Sequence, residues 1–239
     1  MKNRIQILIA AIFLLATAGQ GIGAAAVSGE KFLFMARERA ALQNSFADLR
    51  GQVTHLRRNQ GGASYYPIRF VIRFTSRKVQ AKLFLNNREK HTFERDLRSR
   101  KVKIANNVPG KTLLSQLGFE IGDLTMNFLD YPVHSELAGE TVKTLKCRVF
   151  LLRSPENKLV KVWISQEYFF ALKAEFYDSV DAKNLKTVRT LEITGFKKVN
   201  DYYVATDIAL FSKDYRSRIA FGNCQASASD TPQAANEFK

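Results

Sequence analysis

Between Tyr66 and Phe74 the side chains alternate without a break: Tyr66, Ile68, Phe70, Ile72 and Phe74 against Pro67, Arg69, Val71 and Arg73. A period of two predicts a half-buried strand, here with an aromatic inner face and a cationic outer one. Val79, Ala81, Leu83 and Leu85 repeat the pattern against Gln80 and Lys82, and Phe93 carries it weakly into a charged stretch, Arg95–Lys103. It returns over Val142–Leu152, with Leu145, Cys147, Val149 and Leu151 on one face, and over Leu159–Ser165 after the Ser154–Lys158 turn. Phe169–Tyr177 sets Phe170, Leu172, Ala174 and Phe176 inward against Lys173 and Glu175. A polar turn at Asp178–Asn184 leads to Leu185–Ile193, Tyr202–Phe211 and Arg216–Phe221. Consecutive strands joined by short turns pair antiparallel. Eight or more such strands usually curl. Few helices exist to cover a face this rich in phenylalanine, so the sheet must close on itself, fill with side chains, or hold something apolar.

The remaining segments read as connections and cover. Residues 30–50 have Phe34, Ala41, Leu42, Phe46 and Leu49 near helical spacing, with Glu38, Arg39 and Asp48 between them. That predicts one amphipathic helix, which Gly51 can end. Gln60–Ser64 reads as a linker and Pro109-Gly110 as a turn. Lys111–Leu117 reads as a short helix, and residues 118–131 as a loop followed by a second short helix with Asp123 as its N-cap. The tail, 225–239, is polar and small-residued, as mobile termini are.

Lys2 and Arg4 precede an apolar run from Ile5 to Ala18, and Ala24-Ala25-Ala26 follows a glycine-rich break. The run is shorter than the ~20 residues that span a bilayer and ends in an A-x-A cleavage pattern, which predicts an exported chain with a signal peptide over residues 1–26. No cysteine follows the run, so the chain is not expected to be a lipoprotein. The mature part, 27–224, is expected to be one soluble domain in a periplasm-like space. With 18 phenylalanines and 8 tyrosines it is not a disordered chain. The formal charge of +15 is concentrated: Arg50–Lys111 holds 16 Lys/Arg against 3 Asp/Glu, whereas the rest of the chain after Ala26 balances at 19 against 19. Such asymmetry suits an anionic membrane surface or an acidic envelope protein, or is merely a solvated face. The candidate docking face is Arg69, Arg73, Arg77 and Lys78. Nucleic acid fits less well, because the aromatics alternate away from the arginines instead of standing ready to stack on bases.

Catalytic patterns are sparse. Gly110-Lys111-Thr112 lacks the glycine that a phosphate-binding loop needs where Ala105 stands, and Pro109 sits inside it. His55, His91 and His134 stand singly, with no metal-ligand spacing, and no G-x-S-x-G elbow occurs. No catalytic residue, metal or cofactor is expected, and a secreted hydrolase with a carboxylate pair stays a third reading. Cys147 and Cys224 could pair as a disulfide in an oxidising compartment, or stand as two separate thiols with Cys147 a small core residue.

Several stretches together resemble the LolA/LolB-like outer-membrane lipoprotein-sorting family, in its broader LolA-like branch. They are Leu117–Tyr131 (LGFEIGDLTMNFLDY), Cys147–Leu151, Lys161–Ser165, Phe169–Asp178 (FFALKAEFYD), Leu185–Thr187, Ile193–Val199 (ITGFKKV), Ile208 and Arg218–Phe221. The resemblance spans roughly Tyr66 to Gly222 and rests on strand-and-turn patterns. It implies an α+β, mainly β fold: a curved antiparallel sheet forming an incomplete β-barrel, with the N-terminal helix and short helices as lid over an apolar cavity. It also implies a periplasmic carrier or chaperone that shelters the acyl chains of a lipoprotein, or a phospholipid, without chemistry. On the residues themselves, Phe70, Ile72, Phe74, Leu83, Phe170, Leu172 and Phe176 are the expected cavity lining. The alternative is a non-carrying envelope interaction or sensor module on the same fold with a filled interior.

Overall fold

Asn44, with a left-handed φ of 43°, turns the chain out of a helix and into a strand, a conformation asparagine tolerates better than most residues. The helix α1 covers Gly29–Leu42 and the strand β1 covers Ser45–Arg57, where one helix over 30–50 was expected. The helical spacing of Phe46 and Leu49 is outweighed by a period of two: Ala47, Leu49 and Val53 enter the main core while Phe46 is buried on the opposite face. Gly51 does not end a helix. It sits at a bulge where β1 and the last strand approach so closely that a Cβ would lie 1.9 Å from the Ala220 carbonyl oxygen.

The computed structural model describes residues 27–42, 44–59, 61–181 and 185–239. The expected signal peptide, residues 1–26, lies outside the described residues, as do residue 60 of the expected linker and 182–184 of the expected polar turn. After β1 the strands β2 (Ser64–Phe74), β3 (Lys78–Leu85), β4 (Glu89–Asp96) and β5 (Val102–Asn106) form a meander. The short helices α2 (Leu113–Gln116) and α3 (Ile121–Leu124) and a 3-10 turn (Asn127–Asp130) follow. Then come β6 (Val133–Val142), β7 (Leu145–Arg153), β8 (Leu159–Ser165), β9 (Ala171–Tyr177), β10 (Thr187–Val199), β11 (Tyr202–Ser212), β12 (Tyr215–Ala228) and the helix α4 (Pro232–Glu237).

The described strands make one twelve-stranded sheet in the order β5-β4-β3-β2-β1-β12-β11-β10-β9-β8-β7-β6. Every pairing is antiparallel, and the ends of the sheet, β5 and β6, do not meet. The sheet is thus an open barrel. One core lies on its concave face, joining Leu33 of α1 and Leu114, Phe119, Ile121, Leu124 and Phe128 of the helical segment to the inner residues of the strands. The helices α1, α2 and α3 and the 3-10 turn therefore lie over the inside of the sheet.

Three expectations change, and one alternative left open, the state of the two cysteines, is answered. Between β8 and β9 a bulge pairs Trp163 with Lys173 and Ile164 with Ala171, so Leu172 is the extra residue. Ala171, Ala174 and Phe176 then face the main core, whereas Leu172 joins Cys147, Val149 and Trp163 on the other face. The tail is not a loose polar end: β12 continues to Ala228, and α4 buries Ala234 against Phe46 and Val71 with Phe238 beside them. Cys147 and Cys224 are both free, because β7 and β12 are separated in the sheet by β8, β9, β10 and β11. Asp123 is not the N-cap of α3; that place belongs to Glu120, whose backbone N–H donates to Asp123 Oδ2 at 2.8 Å in a capping box.

A cavity between the sheet and its helical lid

The concave face is not filled throughout. A cavity of about 370 Å³ lies between α1, the α3–3-10 segment and the inner faces of β1, β2, β11 and β12. Its wall is mostly apolar. Leu49, Phe70, Ile72 and Phe74 line one side, Leu124, Met126 and Leu129 the lid, and Val204, Ile208 and Phe221 the floor. Strand alternation supplies the sheet residues, since every second side chain of β2 and β11 points inward. The lid residues come from a segment too short for its own core, so its apolar side chains have nowhere but the sheet to bury.

Toward β9 the cavity reaches an aromatic margin. β10 pairs with β9 only as far as Glu192–Lys173, while its pairing with β11 runs on to Val199–Tyr202. The projecting hairpin leaves a gap beside the start of β9. Phe170 and Phe196 meet edge to face across it at 5.0 Å, and Tyr168 lies 6.4 Å from Tyr203. Phe196 and Tyr203 are more than a third exposed, so apolar surface continues from the cavity to solvent.

Arg37 fastens α1 over the cavity. Its Nε donates to the Leu129 carbonyl at 2.6 Å and Nη2 to the Tyr131 carbonyl at 3.0 Å, tying the helix to the C-terminal end of the 3-10 turn. Burial, and then the nearby Arg100 charge, lower the pKa of this guanidinium. Arg189 does the same service for α3: Nη1 donates to Asp123 Oδ2 at 2.5 Å, and its guanidinium stacks over Phe176 at 3.9 Å. Glu89 caps α2, its Oε2 accepting from the backbone N–H of Leu113 at 2.5 Å and its Oε1 from that of Leu114 at 3.0 Å, with His91 Nε2 also on Oε1.

Of the residues expected to line a cavity, Phe70, Ile72 and Phe74 stand together on its β2 side, and Phe170 and Leu172 belong to the far margin. Leu83 and Phe176 lie outside the wall. Leu83 is fully buried beside Phe70 in the core, and Phe176 packs edge-on to Phe128 beneath Arg189. The expected docking residues are less available than alternation suggests. Arg69 makes a bidentate pair with Asp48, 2.9 Å on each arm, and a second pair with Glu237 of α4. Lys78 is paired to Glu94 at 3.0 Å, and Arg73 has a buried Nε. Only Arg77 of the four is exposed.

Sequence reasoning missed Arg37, Arg95, Met126 and Phe169 as wall residues. For Arg95 a signal existed: it is two residues beyond Phe93 on the inward phase of β4. For Met126 there was none, because its left-handed φ of 52° is set by the junction between α3 and the 3-10 turn.

One Ser–His contact invites a catalytic reading, and its geometry opposes it. His55 Nδ1 lies 2.8 Å from Ser217 Oγ, but that hydroxyl donates to the Leu117 carbonyl at 2.6 Å. The imidazole must then donate to the serine and cannot take its proton. Both side chains are buried. Among the described residues no cluster of three or more His, Cys, Asp or Glu side chains could hold a metal ion.

No family model matches the chain, and no curated protein matches it. Solved structures do. A DUF1329 family protein from Desulfovibrio piger superposes with a TM-score of 0.57 at 11% identity, covering 84% of this chain and 94% of that one. A domain described as an outer membrane lipoprotein-sorting protein, from Vibrio parahaemolyticus, gives 0.56 at 16% identity, covering 88% and 98%. A LolA superfamily protein from Nitrosomonas europaea gives 0.53 at 17% identity, covering 87% and 96%. At these identities the likeness establishes the fold, and the open, helix-lidded antiparallel sheet of this chain is the LolA-like fold that its sequence resembles.

Proposed function

We propose that this chain is a cell-envelope carrier that shelters acyl chains, from a lipoprotein or a phospholipid, in the cavity under α1. The observation that carries the reading is an apolar hollow kept open on the concave face of a sheet that otherwise packs densely. Burying a methylene is worth about 0.8 kcal/mol, so a chain of about 15 methylenes gains on the order of 12 kcal/mol when it leaves water. A carrier needs most of that shelter and also a way to give it up. The Arg37 clasp supports such an exit, since α1 is tied to the 3-10 turn by only two side-chain hydrogen bonds among the described residues, beside the core contacts of Phe32, Leu33 and Ala36. Export to the periplasm, a single domain and docking at an anionic surface belong to the same proposal. The exposed cations of the basic third, Arg77, Arg88, Lys101 and Lys103, would make that last contact.

Ala36 is buried on the inner side of α1 and lines the cavity, so Ala36→Trp fills the space from the lid without altering the sheet. An environment-sensitive fluorescent fatty acid should bind the wild-type protein at near one-to-one. Binding should weaken about tenfold or more in Ala36→Trp while the melting temperature holds. A wild-type protein that leaves the probe dark would favour the non-carrying interaction module and remove the carrier.

A further inference from the structure

The wall of the cavity is apolar but not uncharged, and its charge has one sign. Among the described residues, the charged side chains that line it are Arg37 and Arg95, and no carboxylate does. Both stand at the same end, beside residues 129–131: Arg37 on the carbonyls of Leu129 and Tyr131, Arg95 with Nη1 on Asp130 Oδ2. Arg95 is 6% exposed, and its Nε is buried without a hydrogen-bond partner among the described residues. Asp130 cannot balance this end alone, because Arg100 also takes its Oδ1 at 3.3 Å. Three guanidiniums thus surround one carboxylate, with Glu38 the next acid to Arg37. A buried charge and an idle donor beside an empty apolar hollow are costly unless a ligand completes them.

We infer that the cavity takes an amphiphile with an anionic head, its carboxylate or phosphate received by Arg95 and Arg37 and its chain laid along Phe70, Ile72 and Phe74. The inference rests on the proposed carriage of acyl chains and narrows the cargo. A guanidinium offers paired donors to a carboxylate or phosphate, and in a water-poor site such charge-assisted bonds are strong. A neutral chain of equal length would fill the same hollow and leave the two guanidiniums without a further anion.

The test compares four probes on the purified protein by titration calorimetry, at concentrations below micelle formation: laurate, lauryl phosphate, dodecanol and inorganic phosphate. Both anionic amphiphiles should bind about tenfold or more tightly than dodecanol, and rising salt should narrow the gap. A preference for lauryl phosphate over laurate would point to a lipid headgroup, and the reverse to a free fatty acid. In Arg95→Met the preference for the anionic probes over dodecanol should vanish; Arg95→Lys should keep part of it. Equal affinity for dodecanol and laurate in the wild-type protein overturns the anionic head and leaves carriage standing. Failure of all three chain-bearing probes overturns carriage as well. Inorganic phosphate binding as tightly as lauryl phosphate would mean a plain anion site with no role for the chain, and would overturn the inference. The wild-type comparison decides the matter even if Arg95→Met does not fold.

Discussion

Arg37 and Asp48 show how differently two charged residues of adjacent elements are used. Arg37 spends its donors on backbone carbonyls across a gap between α1 and the 3-10 turn. Its removal should leave the sheet intact and loosen the cover. Arg37→Ala should lower stability by about 2 kcal/mol, as expected for hydrogen bonds from a charged donor, and speed release of a bound fluorescent fatty acid severalfold in stopped-flow exchange. Unchanged release would mean that α1 does not gate the cavity. Asp48 is a structural charge. Burial alone would raise its pKa, but the Arg69 hydrogen bonds, then those of Arg50, hold it below its ordinary 3.8. A carboxylate held low in the folded state stabilises at pH above its unfolded value, and that stabilisation is lost as pH falls through the folded one. Asp48→Asn should therefore cost about 1.5–3 kcal/mol at pH 7 and flatten the loss of stability below pH ~4, read from urea melts across pH. A variant as stable as wild type at pH 7 would show that the pair with Arg69 contributes nothing.

At the scale of elements, what could be read ahead was what repeats. The β2 and β3 alternations and the β8 strand stand where the period of two put them, because one face is buried and the other is not. The edge strands β5 and β6 are exposed along almost their whole length, so burial wrote no pattern into them. β1 was hidden by a chance i, i+3 spacing, and Leu172 by a bulge that shifts the phase of β9 by one residue. The period of two turns Phe70, Ile72 and Phe74 to the side of β2 where the cavity lies; the helices expected as lid are there, but which of their residues face the cavity was not legible, because packing of short helices leaves no period. Gly51 carries the clearest element-level test. Gly51→Ala would drive a Cβ into the Ala220 carbonyl at the bulge between β1 and β12. Overpacking of this kind costs about 1–3 kcal/mol and often more against backbone, and should lower the melting temperature by several degrees. An unshifted melt would contradict the close approach.

For the whole molecule, the excess charge and the cavity share the β2–β4 part of one open sheet, the cavity on its inner face. The excess cations belong to the β2–β5 side, where Arg69 and Lys78 are internally paired while Arg77, Lys101 and Lys103 are free to meet solvent. Arg69 is a poor choice for testing docking, since replacing it leaves buried Asp48 with Arg50 alone and removes the tie to Glu237 that pins α4. Arg77→Ala combined with Lys101→Ala and Lys103→Ala should spare the fold and weaken sedimentation with anionic liposomes at low salt about threefold or more, an effect that disappears at high salt. Equal co-sedimentation of variant and wild type would leave the basic third as a solvated face.

The central claim is that the hollow under α1 is occupied in the cell by a lipid chain. Native mass spectrometry of the protein purified from the envelope of cells producing it, followed by lipid extraction, addresses this most directly. The account predicts a co-purifying species near one-to-one, bearing an acyl chain and an anionic head, and lost on adding excess laurate. A clean apo mass, with no adduct recovered when laurate is added, would contradict it and leave a LolA-like fold that carries nothing.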